Sequence, residues 1–473
     1  MYNDLREWIQ QVDDVGELKR IDGAHWDLEM GGITDIIFRA TEQPPALLFD
    51  RIPDYPTGYR TLFGELGTVK RLALTLGLPL DLKEMDFVRT LRDRIRNLSL
   101  VKPTKVKEYP ASDNVQEGDN VDLYEFPAPV HHELDGGRYF GTADLVVTRD
   151  PDDGWVNAGT YRLMLLDRNT LGFYISPGKH GRTHRQKYFE RGQPCPVAVA
   201  IGTDPALWFA STMEVPFGIC EYDYAGGLTG QPAQIIEGEL TGLPIPATSE
   251  IILEGESYPG DLRDEGPFGE RPGYYAGRGR VEPTIVVKRV MYRSDPIMTC
   301  AQPARPPSDH VYRAVVRSAL IWDELEKVGV PDVQGVWCHP AGGSRMLTIV
   351  SIQQRYAGHA RQAGAIAAQC HAGAYMGRFV IVVDEDIDPS NTYDVLWALS
   401  SRTNPEEDID IMRKALGSKV DPLIHKDSPS TFNSRAIIDA TRPFDWKDDF
   451  PAVVESSPQL KEKLLKKFPN LLS

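Results

Sequence analysis

The stretch ADLVVTRDPDDGWVNAGTYRLMLLDRNTLGFYIS (143–176) decides how this chain is read. Three runs rich in β-branched, aromatic and leucine residues, ADLVVTR, TYRLMLLD and LGFYIS, read as successive strands, the last two joined by the turn-like DRNT. Further strand-like segments follow: PVAVAIG (196–202), QIIEGEL (234–240), EIILEGE (250–256) and TIVVKRVMYR (284–293). Many strands punctuated by Gly and Pro predict a barrel or sandwich between about residues 140 and 300. Outward on the C-terminal side the pattern changes after Pro307. HVYRAVVRSALIWDELEKVG reads as a helix, MLTIVSI and FVIVV as strands and TYDVLWALSSR as another helix, which is an α/β layer. On the N-terminal side, LREWIQQVDDVGEL and GTVKRLALTLGL have helical periodicity and ALLFD (46–50) is a short apolar strand. The polar, Pro-containing passage VKPTKVKEYPASDNVQEGDNVD (101–122) reads as a linker.

A chain of 473 residues has room for two to three domains, and 41% apolar with 25% charged residues is the composition of a globular protein with a sizeable core. The formal net charge of -16 disfavours nucleic acid as a partner, since that affinity rests on Lys and Arg neutralising phosphates. The N-terminal MYNDLREWIQQVDD lacks the basic and apolar regions of a signal peptide. The most apolar stretch, GAIAAQCHAGAYMGRFVIVVD (364–384), is interrupted by His371 and Arg378, so no membrane span is expected. Five widely spaced cysteines without a C-x-x-C pair fit a reduced cytoplasm.

Several familiar chemistries fail on spacing. DEDID (384–388) begins like a calcium loop, but Pro389 and Val395 stand where Gly and Glu are needed. HHELDGG (131–137) lacks the second His of a zinc-protease helix, and GFYISPGKH (172–180) has the wrong spacing for a phosphate loop. Neither G-x-S-x-G nor G-x-G-x-x-G occurs.

Two features remain. In DEGPFGERPGYY (264–275), Glu265 and Glu270 bracket a Gly-Pro-Phe-Gly run that cannot be helical. The two acids are either solvated charges on a tight loop or a proton-handling pair in a cleft. The basic cluster Lys179, His180, Arg182, His184, Arg185 and Lys187 is either a solvated helix start or an anion site. Asn157, His180 and Glu221 offer amide oxygen, imidazole and carboxylate, a set suited to Mn²⁺ or Mg²⁺ bridging a phosphate.

Asn157 with Arg162 at the fifth following position, Lys179-His180, M-x-V-P-F-G-x-C-E (213–221), PATSEIILEG (246–255), EGPFGE (265–270) and IIDAT (437–441) occur in one order. Together they resemble the UbiD family of prenylated-FMN-dependent (de)carboxylases, from about residue 5 to about residue 455. The resemblance implies an α+β chain: an N-terminal α+β region (1–115), a central split β-barrel that binds prenylated FMN (116–308), and a C-terminal α/β domain with an oligomerising tail (309–473). It implies reversible decarboxylation of an aromatic, heteroaromatic or α,β-unsaturated acid, in a cytoplasmic homodimer or larger homo-oligomer supplied with cofactor by a flavin prenyltransferase.

By the same resemblance, Arg162, Glu265 and Glu270 form the catalytic network, with Glu270 as proton donor. Asn157, His180 and Glu221 hold Mn²⁺, and Trp155, Ala210, Ser211, Met213 and Glu221 surround K⁺. Gly159, Thr160, Tyr161, Lys179, Ser211, Thr212 and Met213 join the cofactor site. Where the family carries a Lys before the IIDAT stretch, this chain has Arg435, which keeps the charge but presents a planar fork to the phosphate. Arg271, Arg305 and His310, with Arg313 nearby, are candidates for the substrate. Two other readings stay open at this point: a non-catalytic flavin- or partner-binding subunit, and a carboxylate-pair hydrolase.

Overall fold

One long strand, Arg280–Tyr292, organises the centre of the chain in the computed structural model, which describes residues 2–471 except Glu214, Ala276, Arg278, Asp309, His310, Lys426 and Asn470. Its thirteen residues pair antiparallel with Thr170–Phe173 and Ile251–Ser257, and near its two ends with Leu262–Glu265 and Asn114–Glu117. The sheet continues through Leu163–Asp167 to Tyr139–Gly141 on one side, and through Cys195–Ile201 and Asp144–Arg149 to Val156–Gly159 on the other. All of its pairings are antiparallel, and it curls into an open half-barrel.

Alternation along these strands explains why they read as unbroken apolar runs. Val146, Val197 and Val199 face the inside of the curl with Phe140, Leu171 and Phe173. Their neighbours Leu145, Val147, Ala198 and Ala200 face outward into a second core, against the helices Pro205–Ser211 and Glu221–Thr229. Successive side chains point to opposite faces, so a strand buried on both sides shows no polar alternation.

Two expectations are corrected. The passage 101–122 is not a linker: Thr104–Lys105 pairs with Gln234–Glu237 in a small three-stranded sheet, and Asn114–Glu117 joins the half-barrel. QIIEGEL therefore belongs to that small sheet and not to the half-barrel. Both strands are short and rich in polar residues, so hydrophobic periodicity gave no sign of either.

The N-terminal sheet, Leu18–Asp22, Ala46–Asp50 and Arg60–Phe63, is completed by Ile297–Cys300, which runs parallel to Arg60–Phe63. The C-terminal layer has strand order Val333–Cys338, Leu347–Ile352, Phe379–Asp384, Phe432–Ala440, Ile409–Leu416, with the helices Val311–Lys327, His359–Gln369 and Thr392–Arg402 packed on it. The helix Val311–Lys327 ties the three regions together. Tyr312 packs on Trp208 of the central region at 5.3 Å between ring centres, and Trp322 lies under Arg92 of the N-terminal helix Glu84–Arg96 at 4.2 Å.

Within the C-terminal layer, Arg402 is buried and donates to Asp384 at 3.0 Å and to Asp386 at 2.8 Å, fixing the helix Thr392–Arg402 to the end of Phe379–Asp384. Removing Arg402 takes one charged partner from these carboxylates while Arg442 stays beside both, at a cost of about 1–3 kcal/mol. Arg402→Ala is expected to lower unfolding free energy by that amount in urea titration; a change within about 0.5 kcal/mol, the size of an ordinary surface substitution, would show the network to be hydrated.

Candidate active site

Arg162 lies between the strands Val156–Gly159 and Leu163–Asp167, and its guanidinium meets two carboxylates. One nitrogen is 2.8 Å from Glu265 and the other 3.3 Å from Glu270. Glu265 is the last residue of Leu262–Glu265, held opposite Arg280, so it is strand-borne and not a loop residue as expected. Glu270 is held by a tight turn: its N–H donates to Tyr274 O at 2.9 Å, and the Gly273 N–H donates back to its carbonyl at 2.8 Å.

The glycines between the two acids are there for backbone contact. Gly266 has φ +79, and its carbonyl lies where a side chain at Gly136 would begin, 2.2 Å from that position. A Cβ at Gly136 would push the two segments apart, whereas at Gly266 it is the positive φ that favours glycine.

The two carboxylates are not equivalent. Glu265 is fully buried, and both its oxygens accept hydrogen bonds, from Arg162 and from the Tyr139 hydroxyl at 3.2 Å. Glu270 is held up from its ordinary carboxylate range by burial, against the opposing pull of the Arg162, Arg271 and Arg280 charges. Arg162 lies over the Tyr174 ring at 4.5 Å and beside Phe268, which packs on Tyr139 at 3.9 Å. Tyr139, Tyr174 and Arg280 had no signal in the sequence; only Phe268 falls within a recognised motif.

A second cluster is built one residue earlier in the chain. The Tyr161 ring wedges between Gly159 and Gly181, where a Cβ would lie 2.6 Å and 3.0 Å from the Tyr161 hydroxyl. That hydroxyl accepts from Asn157 Nδ2 and from the Gly181 N–H, each at 3.2 Å. It thereby draws Asn157 to the start of the helix His180–Glu190. Glu221, the first residue of Glu221–Thr229, is buried and accepts from the Ala158 N–H at 2.8 Å. His180 is packed edge-on against Trp155 at 4.7 Å. Asn157, His180 and Glu221 thus share one neighbourhood.

Among the described residues no three His, Cys, Asp or Glu side chains converge. The set present is one amide, one imidazole and one carboxylate, which fits a hard divalent cation that also takes phosphate oxygen. Burial pushes Glu221 up to about 7, a cost that a cation beside it would offset. Thr160 bonds the Ser211 hydroxyl at 2.7 Å, and the Met213 N–H donates to Ala210 O at 3.0 Å. The Trp155 indole N–H donates to Ile219 O at 3.3 Å, two residues before Glu221.

The rest of the basic cluster is neither a solvated face nor an anion site. Arg182 donates to Ile175 O, Arg185 to Phe173 O, and Lys187 pairs with Asp150 at 2.6 Å. His184 is buried beside Trp155, with burial lowering it to about 4. Lys179 and His180 alone remain with the ligand cluster, and the Lys179 charge acts on Glu221.

Two further expectations change, and a third has no test here. Arg435 is buried within the C-terminal layer and donates to the carbonyls of Ala368, Ala374 and Leu416, so its guanidinium is a structural tie and not a phosphate contact. Arg305 is exposed and does not line the recess near Arg271. His310 lies outside the described residues.

Models of the 3-octaprenyl-4-hydroxybenzoate carboxy-lyase N-terminal, Rift-related and C-terminal domains match residues 9–95, 102–306 and 310–440. The chain belongs to the UbiD family of carboxy-lyases. It is 33% identical over 470 residues to a phenolic acid decarboxylase of Streptomyces sp. (strain D7), covering 98% of this chain and 97% of the relative. It is 34% identical over 420 residues to the pyrrole-2-carboxylic acid decarboxylase of Pseudomonas aeruginosa, covering 86% and 84%. The UbiD-class enzyme HmfF of Pelotomaculum thermopropionicum, in complex with FMN, superposes with TM-score 0.86 at 28% identity over 98% of this chain and all of that one. An evolved dimeric form of HmfF with prFMN gives TM-score 0.82 at 27% identity over 98% of each chain.

The Glu221 environment has a measurable consequence in protein freed of divalent cations. Its folded pKa of about 7 exceeds the ordinary 4.5, so the folded state holds the proton more tightly and stability falls as pH rises across that window. The penalty is complete above pH 7 and amounts to about 3 kcal/mol. Glu221→Gln has no charge to bury. Its stability relative to wild type is expected to rise by about that much between pH ~4.5 and ~8; a flat difference would mean that the carboxylate is hydrated or paired.

Proposed function

We propose that this chain catalyses reversible, non-oxidative decarboxylation of an aromatic, heteroaromatic or α,β-unsaturated carboxylic acid with prenylated FMN, Glu270 being the proton donor. The observation that carries this reading is the inequality of two carboxylates on one guanidinium. Glu265, with both oxygens satisfied, anchors Arg162. Glu270, raised by burial, can keep a proton near neutral pH and release it to a carbon that has lost CO₂. A carboxylate-pair hydrolase needs its acids facing across a substrate, whereas here both are drawn to Arg162.

Prenylated FMN, when bound, supplies the electron sink that loss of CO₂ from an sp² carbon requires. Asn157, His180 and Glu221 would hold Mn²⁺ or Mg²⁺ against the flavin phosphate, with the N–H groups at the start of His180–Glu190 and the Lys179 charge beside it. Trp155, Ala210, Ser211, Met213 and Glu221 would surround K⁺. Thr160 and Tyr161 hold these two groups of residues together through Ser211 and Asn157. A flavin prenyltransferase would supply the cofactor, and the UbiD-like C-terminal tail would serve homo-oligomerisation. No helix among the described residues is long and apolar enough to cross a membrane, and with five widely spaced cysteines and no C-x-x-C pair in the sequence a cytoplasmic location is the reading adopted.

Glu270→Gln should retain flavin and substrate binding yet lose roughly 10²–10⁴ in turnover, the usual contribution of a positioned general acid. Solvent deuterium exchange at the reacting carbon should disappear with it. Near-normal turnover and exchange would place the proton donor elsewhere. Independently, His180→Ala is expected to lose bound manganese and flavin in parallel, measured by metal analysis and absorbance of the purified protein; loss of neither would remove the metal assignment.

A further inference from the structure

The HHELDGG stretch (131–137), which lacks the second His of a zinc-protease helix, folds as a turn that Asp135 closes. The Asp135 N–H donates to His132 O at 3.0 Å, and its carboxylate accepts the His132 N–H, also at 3.0 Å. The turn is fixed to the N-terminal region. The Val130 N–H donates to Trp26 O and its carbonyl accepts from the Leu28 N–H, each at 3.1 Å. His132 Nε2 lies 3.0 Å from the side-chain nitrogen of Gln302, which is buried and also donates to Gly31 O at 3.2 Å. A Cβ at Gly31 would lie 2.0 Å from the His131 carbonyl, so the helix Glu29–Ala40 presses directly on the turn.

From this fixed turn two hydrogen bonds reach the EGPFGERPGYY segment (265–275), one on each side of Glu270. The Gly136 N–H donates to Pro267 O at 2.7 Å. The Tyr275 hydroxyl donates to the remaining oxygen of Asp135 at 2.9 Å. Burial raises the Asp135 carboxyl, and the hydrogen bonds from Tyr275 and from the His132 and Gly269 N–H groups pull it back down. These ties matter because Arg162 holds the two acids unequally, at 2.8 Å for Glu265 and 3.3 Å for Glu270. Glu265 is fixed further by strand pairing with Arg280 and by Tyr139. Glu270 stands on a turn bonded to itself through Tyr274 and Gly273. Where that turn rests decides where the Glu270 carboxyl points.

We propose that Asp135 is a positioning residue for proton delivery: with Gly136 it clamps the Glu270 turn at both ends, and so sets that carboxyl against Arg162 and the reacting carbon. The inference rests on the decarboxylase reading above. In this role Asp135 acts through Tyr275, by one hydrogen bond whose loss frees the far end of the turn. Both side chains are half-buried, so breaking the bond opens no cavity in a core.

The test uses holoenzyme loaded with prenylated FMN and an aryl or heteroaryl acid that it turns over. Asp135→Ala and Tyr275→Phe are each expected to lower kcat roughly 10- to 100-fold, since a misplacement of about 1 Å suffices for the larger figure. KM and flavin content stay at wild-type values, so kcat and kcat/KM fall together. The double variant is no slower than the slower single one, because both changes break the same bond. Asp135→Asn restores turnover: its oxygen can accept the His132 N–H while its amide donates to the Tyr275 hydroxyl. Amide hydrogen exchange over residues 266–275, read by mass spectrometry, should quicken in Asp135→Ala and Tyr275→Phe but not in Asp135→Asn. Wild-type turnover in Tyr275→Phe overturns the proposal. So does a loss that adds in the double variant, or one accompanied by loss of flavin, either of which makes the pair a general structural tie. If Asp135→Ala does not fold, Tyr275→Phe and Asp135→Asn carry the comparison. If wild type releases CO₂ from no acid, the decarboxylase reading fails, and hydrogen exchange still decides the clamp: quickening confined to residues 266–275 supports it, and unchanged exchange overturns it.

Discussion

A single buried guanidinium holds the site together. Arg162 is largely removed from water, and a charge in that position is tolerable only where opposite charges and acceptors replace its hydration. Glu265 and Glu270 do so from opposite ends of the EGPFGE segment, one from a strand and one from a turn. Their attraction to Arg162 holds that segment against the edge of the half-barrel near Tyr139–Gly141, where the Gly136 N–H also donates to Pro267 O at 2.7 Å. Tyr139 completes the arrangement by donating to the oxygen of Glu265 that Arg162 leaves open.

The adjacent residue does the complementary work. Tyr161 reaches toward Asn157 and the helix that starts at His180, whereas Arg162 reaches toward the two acids. Two consecutive positions in an extended segment point to opposite sides, so one short connection serves both the candidate cation cluster and the acid pair. Displacing the connection would disturb both at once. Gly159 and Gly181 are required because the Tyr161 ring fills the space that their side chains would occupy.

The helix Val311–Lys327 brings the third element. Its apolar residues are buried on several sides, against Trp208, the C-terminal sheet and the helix Glu84–Arg96, which leaves a narrow stripe for Arg313 and Arg317. That stripe faces the turn following Glu270 because Arg271 and the loop through Ser344 pack there. The recess beside Arg271 is thus shared between regions, so it depends on their packing and on no single motif.

Local chemistry made much of this protein legible. Apolar runs such as PVAVAIG and TIVVKRVMYR are strands in the structure, HVYRAVVRSALIWDELEKVG is a helix over most of its length, and the ordered motifs that include EGPFGE and end in IIDAT marked the family. These features follow from residues close in sequence, where side-chain alternation, helical periodicity and backbone restriction act directly. Long-range pairing was decided only by the tertiary structure. The polar passage 101–122 gains its strands from partners more than a hundred residues away, and Glu265 turns out to be strand-borne because Arg280 lies opposite. Arg435 reads as a phosphate ligand by its position beside IIDAT, yet carbonyls from three other segments surround its guanidinium. Arg271, Arg313, Arg317 and Arg345 line one recess though spread from residue 271 to residue 345, and nothing in their spacing joins them. Sequence specified which groups could bear charge or donate a proton; which of them meet, and which are buried, depended on contacts between segments that no local pattern encodes.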